Sequence, residues 1–177
     1  MPTAIVSRHG WLSVTHRFSS EAGDRLAELR WNGQIGSLTI PDTLPSQIGP
    51  VVDDPDHFAL VREDTAYAEA WLLQAAARTG GLDVLSVNYE GAIFRVASNS
   101  TAAPDLSLFD EAGREWVRLY FNPGGESRLE LAEEVPLEFA AFMFGVVYLL
   151  HGRQADSLLA GSWSTVGRVA LRAALVS

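Results

Sequence analysis

The chain carries four histidines, His9, His16, His57 and His151, and imidazole is the side chain that most readily ligates a metal or moves a proton near neutral pH. A zinc site on a helix needs histidines one turn apart, and a tetrahedral site needs cysteine or histidine partners at short spacing. The sequence offers neither, since the histidines are scattered and cysteine is absent. His9 and His16 are close enough to meet across neighbouring strands, yet they read as exposed strand residues with no further ligand.

The densest oxygen-rich group is Asp53, Asp54 and Asp56, next to His57. Calcium takes ligands of that kind, which makes these three aspartates the weak metal candidates of the chain. They lack the alternating spacing and the glycine of a calcium loop, so a solvated turn is the simpler reading and no metal is assigned. Nucleophile chemistry fares no better. Gly161-Ser162-Trp163-Ser164 is not a nucleophile elbow, and Gly124-Gly125 has no Lys-Ser/Thr after it to cradle a phosphate. Glu133, Glu134 and Glu138 could be paired general acids and bases, but they cluster where a helix would start, and the helix dipole explains them. Asn99-Ser100-Thr101 fits a glycosylation acceptor without a secretory signal to deliver it. With no catalytic or cofactor motif in sight, the expectation is a protein that is not an enzyme and needs no cofactor.

Charge narrows the partners. The formal net charge is −9, and all 13 basic residues are arginines spread along the chain. Nucleic acid leaves a basic stripe or cluster on the proteins that bind it, so nucleic-acid binding is disfavoured. Folding could still gather Arg8, Arg17, Arg95, Arg114, Arg118 and Arg128 onto one surface. The start, MPTAIVSRHGWLSV, lacks a basic beginning and a continuous apolar core, so it does not read as a secretory signal, and a cytoplasmic protein is expected. At 177 residues and 47 % hydrophobic content, a single domain closing one core is expected over 1–177. Within it, residues 1–153 form the body and 154–177 an extension.

The element that organises this body is Pro136 to Arg153, PLEFAAFMFGVVYLLHGR. From Phe139 to Leu150 it has no charge and one polar group, the Tyr148 hydroxyl. Pro136 suits a first helical turn and His151-Gly152-Arg153 a last one, predicting a helix over 136–151. Two surroundings satisfy a helix that is apolar on all sides, lipid or the protein's own core. A membrane span needs about 20 apolar residues, and this run is shorter, which favours the core. Phe139, Phe142, Phe144, Val147, Tyr148 and Leu150 are its expected core residues.

Short β-rich runs precede the helix. Leu12 to Phe18, Arg25 to Trp31, Gln34 to Ile40 and Phe58 to Arg62 read as strands, with a tight turn at Asn32-Gly33. Pro41 to His57, with four prolines, reads as a surface loop. Ala66 to Arg78 fits a helix by propensity and a strand by alternation, and neither signal prevails. Leu82 to Tyr89, Ala92 to Ala97, Leu106 to Phe109, Glu115 to Phe121 and Arg128 to Leu131 form a meander. In the fourth of these, alternation places Val117, Leu119 and Phe121 on the core side and Trp116, Arg118 and Tyr120 on the wet side. A short amphipathic helix is expected from Thr165 to Leu175.

The runs LDVLSVNYEGAIFRVAS, LSLFDEAGREWVRLYF and SRLELAEEVPLEFAAFMFGVVYLLHGR, covering Leu82 to Arg153, resemble the C-terminal half of the tubby-like superfamily, which includes the LURP-one-related and phospholipid-scramblase proteins. The resemblance implies a closed antiparallel barrel of about a dozen strands around one hydrophobic helix. It also implies lipid association, with basic residues gripping phosphoinositide headgroups in tubby and calcium acting in the scramblases; the expectation for this chain is a binding module whose outer face or loop ends take a protein partner or a membrane lipid surface. This chain departs from both by being acidic, lysine-free and without a recognisable cation loop. The competing architecture is a lipocalin-type barrel with the helix packed outside and an open lumen for a small molecule. The two differ in whether Phe144 and Tyr148 lie inside the sheet.

Overall fold

Alternating apolar and polar residues, broken every few positions by turn formers, can bury one face per strand only if the sheet curls onto a filling. In the computed structural model, which describes residues 2–10, 13–73, 83–98 and 105–159, the sheet closes completely. Its strands are β1 (Thr3–His9), β2 (Thr15–Ser20), β3 (Arg25–Asn32), β4 (Ile35–Thr39), β5 (Ser46–Val51), β6 (Asp54–Arg62), β7 (Thr65–Leu72), β8 (Asp83–Tyr89), β9 (Ala92–Ser98), β10 (Asp105–Asp110), β11 (Glu115–Tyr120) and β12 (Ser127–Leu131). Each pairs antiparallel with its sequence neighbours, and β1 pairs with β12, Thr3 opposite Glu130 and Val6 opposite Ser127, to close a barrel of 12 strands. Closure removes every free edge.

The helix α1 (Leu137–Leu159) fills the lumen. A helix lying on a sheet buries one stripe, whereas here Phe139 to Phe144 are buried without a gap, as are Val146, Val147, Leu149 and Leu150, and Tyr148 is half-buried. Gly145 marks the closest approach to the wall: a Cβ there would stand 3.1 Å from Ile48 and 3.6 Å from Leu29. The Pro136 carbonyl accepts the first helical bonds, from the N–H groups of Phe139 and Ala140.

The helix covers the expected 136–151 from Leu137 onward, and its helical assignment runs on to Leu159. Gly152 is not among the glycines of positive φ, so it forms no left-handed cap. The following Arg-Gln-Ala sequence has good helix propensity. A helix of 23 residues is about 34 Å long at 1.5 Å per residue, longer than the wall built by strands of five to nine residues, so the plug overshoots the barrel. The amphipathic segment expected at Thr165 to Leu175 lies outside the described residues.

Two strands appear where none was expected. β1 occupies the segment read only as a poor signal, with Ala4 and Val6 buried. β5 runs through the supposed loop from Pro41 to His57, burying Ser46 and Ile48 while Gln47 faces out. Pro50 is accommodated because the β5–β6 register shifts between Pro50 and Val51, a bulge at which a missing N–H costs no ladder bond. The ambiguous Ala66 to Arg78 is a strand as far as Leu72, and its remainder is not described. At the first hairpin turn the central residues are Gly33 and Gln34, one position later than expected, with Asn32 paired to Ile35.

The β6–β7 turn is strained by its own sequence. Arg62 pairs with Thr65, leaving Glu63 and Asp64 as a two-residue loop at φ 47° and 63°, the left-handed geometry that favours Asn-Gly. Replacing both, Glu63→Asn with Asp64→Gly, is expected to stabilise the fold by about 1 kcal/mol. An unchanged or lower urea midpoint would show that these acids hold a contact outweighing their strain.

Candidate functional site

Four polar constellations stand out: two at the ends of the lumen, where α1 meets strands distant in sequence, and two on the outer wall between neighbouring strands. At the end where α1 begins, Glu138 in its first turn is held by two strands. The Ser46 hydroxyl donates to Glu138 Oε1, and the Arg62 guanidinium donates to Oε2 at 2.5 Å. Arg62 also stacks its guanidinium over Tyr67, 5.1 Å from the ring centre, and its pKa is raised chiefly by the hydrogen bond to Glu138. One ring further in, Tyr89 stacks on Phe139 at 4.3 Å. These contacts fix the depth to which the helix enters. Of the three glutamates read as helix-start charge, Glu138 thus does more, and Glu134 pairs with Arg114 at 2.5 Å on the rim.

At the other end lies His16, which corrects the reading of it as an exposed strand residue. It is 4 % exposed. The Trp31 indole N–H donates to its Nδ1 at 3.0 Å, and its ring packs edge-on against Phe144 and Tyr148 at 4.9 and 4.6 Å. Burial, then the nearby positive charge of Arg8, push its pKa down to about 4, so at neutral pH it is an uncharged imidazole with its proton on Nε2. Alternation puts His16 on the same face as Phe18, and with the barrel's inner face known that face is the lumen. His9 is exposed and bonds Ser7 instead, so the two histidines do not converge.

On the outer wall, His57 Nε2 lies 2.9 Å from Glu69 Oε1, and its ring stacks on Trp71 at 4.7 Å. Arg118 makes a two-pronged pair with Asp105, Arg128 pairs with Glu130, and Tyr120 lies between the two guanidinium groups. The six arginines that folding could have gathered are therefore divided, with Arg114, Arg118 and Arg128 neutralised by carboxylates. Arg8 stands opposite His16 on the lumen-facing register.

Asp53 sits in the β5–β6 turn at φ 67°, and Asp54 and Asp56 in the first residues of β6. The Asp54 carboxylate accepts the Asp56 N–H at 3.2 Å, a turn contact, and among the described residues no three His, Asp or Glu side chains are grouped to hold an ion. The expected core residues do converge: Phe139, Phe142, Phe144, Val147 and Leu150 are all buried in the lumen, with Tyr148 against Trp31 and His16. The alternative with the helix outside and an open calyx is thereby replaced. A void of about 10 Å³ between Val96, Leu108, Val117, Leu119 and Met143 is at the lower limit for one water.

Among the described residues no helix is long and apolar enough to cross a membrane. No protein-family model matches the chain, and no curated protein matches it significantly.

Proposed function

We propose that this chain is a non-enzymatic, cytoplasmic protein-interaction module of tubby-like, LURP-one-related type, which binds with the outside of its barrel. The observation that carries this reading is the filled lumen: a helix occupies the space in which a barrel of this size would hold a small molecule, which leaves the wall and the rims for recognition. The wall of 12 strands around one apolar helix has the architecture that the resemblance implies. The net charge of −9 opposes an anionic bilayer, and acids including Asp42, Glu63, Asp64, Glu90, Glu111 and Glu133 lie in the turns of the end where the helix starts. A protein surface is therefore preferred to lipid.

The test is a pair of binding measurements on the whole chain. Affinity capture under native conditions is expected to recover a saturable protein partner, while flotation with anionic vesicles at low salt leaves the chain in the soluble fraction. Co-flotation would move the assignment to the membrane surface, and stoichiometric uptake of an apolar probe by the folded barrel would end both readings.

A further inference from the structure

The two ends of the helix are held differently. The starting end is tied by an ion pair, Glu138 with Arg62. The exit end is tied by a neutral imidazole on β2, which accepts the Trp31 N–H from β3 and packs against Phe144 and Tyr148 of α1. Three elements thus meet on one ring, and that ring accepts the indole N–H only while Nδ1 is unprotonated. We propose that His16 is a proton-operated latch: protonation at Nδ1 ejects the Trp31 N–H and frees the exit half of α1 from the barrel, while the starting half stays anchored. This inference concerns conformational control and holds whatever the partner of the module is.

The groups around the ring give no shelter to a positive charge. From β1 come Arg8, its direct cross-strand partner, and His9, and both disfavour a second cation. From β3 come Leu29, directly opposite, and Trp31, while Glu28 and Arg30 lie on the outward register and pair with each other at 3.4 Å. From α1 come the Tyr148 phenol and, one turn on, His151, whose ring meets the edge of Phe121 at 5.6 Å and whose pKa is also lowered by burial. Phe121 in turn packs on Phe144 at 5.7 Å, so a second imidazole beside the same aromatic cluster charges as the pH falls. The sign follows directly. A base that ionises near 6.5 when released but near 4 when enclosed leaves the latch closed above about pH 6.5, loosens it progressively below, and adds nothing further below about pH 4.

Amide hydrogen exchange of the whole chain, followed by NMR and corrected for intrinsic rates, reads the effect. Between pH 7 and pH 4, exchange over residues 144–151 is expected to accelerate roughly a hundredfold relative to 139–143, the factor that a displacement of this size implies. His16→Gln keeps an acceptor for Trp31 and cannot be protonated in this range, so in a His151→Gln background, where the second imidazole is silent, its two halves should respond alike to pH while the His151→Gln protein with His16 intact keeps the differential. The latch is overturned if the double variant retains the differential response, or if the strands lose protection in the same step as the helix end. Should the variant not fold, the wild-type ring nitrogens decide: the latch requires Nε2–H at pH 7 and a titration midpoint coinciding with the loss of protection, and a mismatch rejects it.

Discussion

Phe144→Asp is expected to abolish soluble expression. The ring is 1 % exposed and touches Phe18 at 5.5 Å, Phe121 at 5.7 Å and His16 at 4.9 Å, so the substitution removes a central side chain and puts an unpaired charge where no water reaches. Truncation of a buried phenylalanine alone costs about 3–5 kcal/mol, and the buried carboxylate adds several more, which together consume the whole stability of an ordinary domain, about 5–15 kcal/mol. Phe144→Leu serves as the reference, remaining soluble and losing about 1–2 kcal/mol. Soluble yield and a thermal melt distinguish the cases, and a well-folded aspartate variant would contradict the placement of this helix inside the barrel.

Arg62→Ala is expected to cost about 2–3 kcal/mol, because it leaves the Glu138 carboxylate largely enclosed with Ser46 as its remaining hydrogen-bond donor among those described. Glu138→Ala should cost a similar amount, and the double substitution clearly less than the sum, since each single change strands a partner that the double change removes. Urea unfolding of the four proteins completes the cycle. Strict additivity would mean that the pair is a rim contact without influence on how the helix is seated.

The architecture was legible wherever one physical signal dominated. An apolar run too short for lipid and lacking any wet side, Phe139 to Leu150, could only be enclosed, and the meander from Leu82 onward announced its faces through alternation, as Val117, Leu119 and Phe121 show by being buried. Legibility failed where a local rule was overridden. Pro50 and Gly49 argue against a strand, yet β5 forms because its neighbours supply the ladder and a bulge absorbs the proline. The polar constellations were the least visible. Glu138, Arg62 and Ser46 are 76 and 92 positions apart in their hydrogen-bonded pairs, and no spacing rule reaches that far. His16 was hidden for a different reason: a histidine in a strand looks alike in sequence whether it faces solvent or lumen, and the alternation with Phe18 that decides it carries weight only once the barrel's inner face is known.

The strand that closes the cylinder and the rod that fills it are the last two elements described, β12 and α1, and β12 must find β1 across nearly the whole described chain. While the ribosome is still making the polypeptide, the earlier strands therefore have neither a closing neighbour nor an interior to pack on. Folding awaits release of the α1 segment and proceeds through long-range pairing, a topology that is slow to assemble and exposes sticky strand surfaces meanwhile. Such a nascent barrel would depend on chaperone shelter.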